Sequence, residues 1–140
     1  MKLGKYIKPK PWFFKFVPIL SKYTANSLYS YIFVPHDVYE DLKSQNPNYR
    51  HRALLIHEET HRERQRKMGW FVFGVKYLFS SKFRFNEELL AVREAMRFLK
   101  KNNISFDFEK SSRLLSSYLY LWPVSKHYAK RELERLWEEV

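Results

Sequence analysis

Leu54-Leu55-Ile56-His57-Glu58-Glu59-Thr60-His61 decides how this chain is read, because it carries an H-E-x-x-H pattern at the end of an apolar run. On an α-helix, positions i and i+4 lie one turn apart on the same face. His57 and His61 can therefore aim both imidazoles at one zinc ion. Glu58 sits beside that metal without ligating it, where it can take a proton from a zinc-bound water, the general-base role in metal-assisted peptide hydrolysis. The competing reading is a solvated helix face that happens to carry two histidines. With five His and fifteen acidic residues in the chain, the pattern arises by chance roughly a few times in a hundred. The run Ala53 to Ile56 favours the metal, since it gives the helix a buried side. Ala53, Ile56, His57, Thr60 and His61 fall on adjacent parts of that side.

Working outward, Asn46-Pro47-Asn48 reads as a turn with a helix-start signal, so the motif helix opens at Pro47 or Asn48. Gly69 closes it, with basic residues in the last turn as the helix dipole prefers. Downstream the pattern predicts a short apolar helix over Trp70 to Phe79 and an amphipathic one over Phe85 to Lys101. Asn102-Asn103 breaks the chain, and Ser105 or Asp107 caps a helix running to about Leu121. Ser125 to Glu139 is the last helix, with charged pairs at i,i+4 spacing. Upstream, Leu28 to Val34 is aromatic and β-branched and stops at Pro35, so it reads as one strand, paired with an extended piece before it. His36 to Ser44 reads as a short helix. Met1 to Ser21, broken by Pro9, Pro11 and Pro18, reads as a surface wrap or a short helix around Phe13 to Leu20. The expectation is one domain over residues 1–140, α+β and mostly α, with a small strand element beside the motif helix.

Composition narrows the chemistry. Hydrophobic content of 45% with 19% aromatics fits a globular fold rather than a disordered one. There is no cysteine, which excludes disulfides, thiolate metal sites and a cysteine nucleophile, so His and carboxylate must hold any zinc. The formal charge is +11, which permits an anionic partner such as nucleic acid or a membrane surface without specifying one. The run Arg62-Glu63-Arg64-Gln65-Arg66-Lys67 reads as the solvated outer face of the motif helix. No secretory signal is evident, and neither Trp12 to Leu20 nor Gly69 to Phe79 reaches the ~20 apolar residues of a spanning helix. A soluble cytoplasmic protein is the expectation.

A catalytic zinc needs a third protein ligand and an open position. Glu87 and Glu88 are the nearest acidic candidates on a downstream helix. Glu88 shares its face with Ala91, Val92, Ala95 and Leu99, a small apolar stripe suited to close helix packing, where a lone carboxylate needs a partner. Glu87 lines up with Leu90, Glu94, Arg97 and Lys101, a mostly solvated face. Glu88 is therefore the expected ligand. His36, His51 and His127 are the other possible ligands, and each reads better as a hydrogen-bonded structural histidine.

His57-Glu58-Glu59-Thr60-His61 followed by Glu88-Leu89-Leu90-Ala91 resembles the gluzincin arrangement of H-E-x-x-H plus a later E-x-x-A helix. It looks like the small soluble cores related to membrane peptidases that are sometimes called minigluzincins, over roughly Leu28 to Leu99. The resemblance implies a zincin-like minimal core and a zinc metalloendopeptidase with ligands His57, His61 and Glu88 and general base Glu58. It also implies that the strand Tyr29 to Val34 borders the cleft, with an exposed edge that pairs with an extended peptide. Many gluzincins place an Asp four residues after the ligand Glu, where this chain has Val92. That Asp orients a ligand histidine, so here the histidine's orienting group must come from Asp37, Glu94 or a backbone carbonyl. His127, Tyr128, Tyr118 and Tyr120 are candidates for stabilising an oxyanion. The alternative is a catalytically inactive zincin-like scaffold whose basic surface binds nucleic acid or another acidic partner. A third reading is a membrane-surface protein using Trp12, Phe13, Phe14, Trp70 and Phe71. Either terminus, Met1 to Lys22 or Glu138-Glu139-Val140, is a candidate to occupy the cleft.

Overall fold

The structure, a computed structural model, describes residues 3–12, 26–28, 30–117 and 124–140. Among these lie three short strands and six helices: β1 (Ile7–Pro9), β2 (Asn26–Leu28), β3 (Tyr31–Val34), α1 (His36–Lys43), α2 (Tyr49–Met68), α3 (Trp70–Phe79), α4 (Ser81–Lys101), α5 (Phe108–Leu115) and α6 (Lys126–Glu139). This is α+β and mostly α. Phe13 to Leu20, together with Tyr118 and Tyr120, lies outside the described residues.

The helix starts follow their caps. Asn48 Oδ1 accepts from the Arg50 amide at 2.8 Å and opens α2. Gly69 ends it at φ 88°, a left-handed value that a side chain would strain, and the chain restarts at once as α3. Ser80 closes α3 and caps α4 through its hydroxyl, 3.1 Å from the Phe83 amide. Hence α4 begins about a turn before the amphipathic pattern becomes legible. Asp107 caps α5 and Ser125 caps α6. Helix α5 is shorter than its periodicity predicts, ending at Leu115. The hydroxyls of Ser116 and Ser117 turn back onto the Ser112 and Leu114 carbonyls there, the competition that serine offers at a helix end.

The single strand expected over Leu28 to Val34 is instead divided, Leu28 ending β2 and Tyr31–Val34 forming β3. Strands β2 and β3 pair antiparallel with Leu28 opposite Tyr31, and β1 pairs parallel on the other side, giving the order β1-β3-β2. The upstream extended partner is thus present. The sequence between Leu28 and Tyr31 holds no glycine or asparagine, so it carries no hairpin signal. This order also corrects the exposed-edge expectation: β3 is the central strand, flanked on both sides. No residue of β1 or β3 lines the cleft, which Lys10, Pro11 and Trp12 after β1 border instead, and Pro9 leaves β1 one amide donor short for pairing with an added strand.

Helix α2 is packed on two sides. On one, Leu55 joins Ile7, Ile32 and Val34 of the sheet and Val38 and Leu42 of α1. Each of these side chains contributes about 2 kcal/mol by burial. On the other side, Ala53 meets Ala95 and Leu99 of α4, small residues that let the backbones approach. Tyr49 and Arg52 meet Phe98, while Arg64 meets Glu87, so α2 and α4 run antiparallel. Behind α4, Phe85, Val92 and Met96 pack on Leu115 of α5 and on Ala129, Leu133 and Leu136 of α6.

Several polar residues of α2 are engaged rather than solvated, which corrects the reading of its basic run. Arg62 donates to the Ser30 carbonyl at 2.9 Å with its guanidinium over the Tyr6 ring, and Gln65 donates to the Ser27 carbonyl at 3.0 Å. Glu63, Arg66 and Lys67 do face solvent.

Candidate metal centre

His57 and His61 come from α2 and Glu88 from the facing turn of α4. Antiparallel packing over the Ala53, Ala95 and Leu99 contact brings the three together. The Nε2 atoms of the two histidines are 3.1 Å apart. His61 Nε2 lies 3.2 Å from Glu88 Oε1, and His57 Nε2 lies 3.3 Å from Glu88 Oε2. Metal ligands arranged tetrahedrally at ~2.0–2.1 Å from zinc are separated by about 3.3 Å. The donors are therefore already at the spacing a small metal ion imposes. Glu88 is 2% exposed, and its Oε2 is buried without a hydrogen-bond partner. A buried carboxylate oxygen left this way is expensive unless a cation meets it. This trio is close enough to hold a metal ion, and the chemistry of the donor set fits one.

The electrostatics agree with that fit. Burial pushes the His61 imidazole down, but the Glu88 charge and hydrogen bond outweigh it and raise the pKa to about 9. Burial likewise works against the Glu88 carboxylate, yet His61 and His57 hold it well below the usual range. A proton on His61 thus occupies the place that a metal cation would take. Glu58 is buried on the same helix and lines the same cleft. Its pKa is raised, by burial first, against the opposing pull of His57 and His61.

Glu87 corrects the expectation of a solvated face. It is 3% exposed and accepts a bidentate pair from Arg64, with Nε at 2.9 Å and Nη2 at 2.7 Å. The face is indeed polar farther along, at Arg97 and Lys101, but Arg64 of α2 reaches across and covers Glu87. This pair clamps the two helices immediately beside the candidate ligands, one turn after His61 and one residue before Glu88.

The group orienting Glu88 is Tyr77 of α3, whose hydroxyl donates to Oε1 at 2.5 Å. No spacing rule ties a tyrosine in an apolar run to a later glutamate, so no signal in the residues pointed to it. Buried Arg84 secures the end of α3 by donating to the carbonyls of Tyr77 and Leu78. Of the residues considered for orienting a ligand histidine, Asp37 is exposed on the cleft wall, Glu94 pairs with Arg97 at 2.7 Å, and Val92 belongs to the core and also lines the cleft. His51 is structural, its Nδ1 2.7 Å from Asp41, which also accepts from the Asn48 amide and so staples α1 to the start of α2. His36, His127 and Tyr128 are exposed, and neither His127 nor Tyr128 lines the cleft.

The cleft in front of the trio has a volume of ≈ 970 Å³. Its walls include Lys10 and Trp12 after β1, Pro35 and Val38, and Phe106 and Leu114 on the far side. Lys10 is half-buried there, and that burial lowers its pKa to about 8 despite the opposing charge of Glu58. Of the termini considered as plugs, Glu138 and Glu139 belong to the end of α6 or its last turn, and Val140 packs on the core behind α4. Compared with known protein families, with curated proteins and with solved structures, the chain matches none.

Proposed function

We propose that this protein is a zinc-dependent metallopeptidase of gluzincin type, with His57, His61 and Glu88 as ligands and Glu58 as general base. The observation that carries the reading is the convergence of three donors, His61 and Glu88 buried and His57 partly so, at 3.1–3.3 Å beside a cleft that His57, Glu58 and Glu88 line. His and carboxylate without thiolate is a donor set that zinc accepts, with one coordination position left open. Zinc held there supplies the Lewis acid that activates water and polarises a carbonyl.

The chain's own residues supply the remainder. Glu58, in a site that disfavours its charge, accepts the proton of the attacking water and returns it to the leaving amine. Tyr77 and the Arg64–Glu87 clamp hold the ligand carboxylate and its helix in place. Lys10 places a cation in the cleft wall, where it favours negative charge developing on the substrate. Because the β1 edge is blunted by Pro9, substrate is held by the cleft walls rather than mainly by strand addition.

The test is zinc content and peptide cleavage measured on the same preparations. Wild type should hold a single zinc, and His57→Ala and Glu88→Ala should lose it. Glu58→Gln should keep it while cleavage falls by about 10²–10⁴-fold. A Glu58→Gln protein that cleaves as well as wild type removes the catalytic assignment. Absence of zinc from wild type supplied with the metal removes the whole reading.

A further inference from the structure

We propose that the outward face of α3 docks the protein onto an anionic lipid bilayer. Helix α3 is amphipathic in the inverted sense. Phe73 and Tyr77 face inward, with Phe73 packed on Phe83 and Tyr77 reaching Glu88. Phe71, Val72, Val75, Leu78 and Phe79 fall on one arc of roughly 120° by helical spacing. All five are exposed, Phe71 at 65% and Phe79 at 86%, with exposed Trp70 at the start of the helix. A soluble surface normally breaks up a contiguous patch of this kind. Here the only charge within the helix is Lys76.

The surroundings indicate what covers it. From Glu63 to Glu87 the sequence carries no acidic residue, while Arg64, Arg66, Lys67, Lys76, Lys82 and Arg84 are basic. Arg64 and Arg84 are used internally, but Arg66, Lys67, Lys76 and Lys82 are exposed at the two ends and the flank of the apolar arc. Lys67 also pairs with Glu63, at 2.7 Å. An apolar strip bordered by cations, with tryptophan at its margin, complements the boundary between acyl chains and anionic headgroups. A second copy of this chain is a poorer occupant, because a twofold contact over α3 would bring the same lysines face to face. At 10 residues the helix is about 15 Å long, half the hydrocarbon thickness, so it lies on the surface and does not cross. No described helix is long and apolar enough to cross a membrane. Through Tyr77, the docking helix has the metal-ligand carboxylate on its opposite face.

The experiment is co-sedimentation of the full chain with phosphatidylcholine vesicles and with mixed phosphatidylcholine/phosphatidylglycerol vesicles, at low and moderate salt. Wild type should partition onto the mixed vesicles about tenfold or more better than onto the neutral ones, and lose binding as salt rises. Phe71→Ser/Phe79→Ser should weaken partitioning by about tenfold or more. Lys76→Gln and Lys82→Gln should each weaken it about fivefold. All four side chains are exposed, so the variants should melt with wild type. Tryptophan emission should shift to the blue on binding, and Trp70→Phe should lose most of that shift. Wild type remaining in the supernatant overturns the proposal, as does serine-variant binding equal to wild type. A blue shift that survives Trp70→Phe would place the contact elsewhere. A stable dimer in sedimentation velocity that dissociates in the serine variant would assign the face to a second copy.

Discussion

Breaking the Arg64–Glu87 clamp separates the two adjacent glutamates by role. The carboxylate of Glu87 is 3% exposed, while the Arg64 side chain is 37% exposed. Removing one member of a fully buried ion pair costs ~3–5 kcal/mol, because the other charge is left without compensation. Here the two losses are unequal. Glu87→Gln strands a guanidinium that water can reach, and the amide oxygen still accepts one hydrogen bond. That cost should be about 2 kcal/mol after discounting for solvent, or about 6 °C in Tm for a chain of this length. Arg64→Gln strands a buried carboxylate instead, and should cost about 3 kcal/mol. The double substitution should cost less than the sum of the two, since neither charge then lacks a partner. Urea unfolding with a chelator present measures these terms in the metal-free protein. Zinc titration of the same proteins should find a single site in all of them, because Glu88 remains. The reasoning is refuted if Glu87→Gln unfolds with wild type yet loses zinc, for then Glu87 is a ligand and its pairing with Arg64 is incidental.

Two other perturbations address the same site. Tyr77→Phe should leave zinc stoichiometry unchanged and weaken affinity about tenfold, read by competition with a chromophoric chelator, because Glu88 loses the donor that fixes its Oε1; unchanged affinity would remove the orienting role. The metal-free protein should lose stability as pH rises from 6.5 to about 9. His61 has a folded-state pKa raised to about 9 from 6.5, so its pairing stabilises fully below the lower value and is lost through the upper one. Glu88, depressed in the fold, loses its contribution as pH falls below 4.5. Urea midpoints in chelator should therefore decline on both sides of roughly pH 4.5–6.5, and zinc uptake at neutral pH should release about one proton. A flat or rising midpoint between 6.5 and 9 would contradict the buried pair.

The inward turn of α3 explains how a helix with little buried surface bears on the candidate metal centre. Phe73 anchors it against Phe83, Arg84 secures its last carbonyls, and Tyr77 lies between these contacts. Gly69 and Ser80 set both of its ends, so its register relative to α2 and α4 follows from two caps. The exposed arc is then what remains of an apolar helix after one side is used.

Local sequence determined what is periodic. The spacing of His57 and His61, and the placement of Glu88 on a stripe with Ala91, Val92, Ala95 and Leu99, follow from 3.6 residues per turn, and each of those four stripe residues is buried. The helix starts at Asn48 and Asp107 and the stop at Gly69 were legible because each satisfies its helix end with its own side chain or its own φ. Tertiary structure decided which neighbour covers each face. Glu87 reads as solvated until Arg64 reaches it from another helix, and Tyr77 is one aromatic among many until α3 folds back. The antiparallel pairing of β2 with β3 and the central position of β3 depend on partners that a single strand's pattern does not specify. Convergence of His57, His61 and Glu88 to 3.1–3.3 Å likewise required the antiparallel packing of α2 on α4. Periodicity tells a side chain which way to point from its own axis, and only packing sets what it meets there.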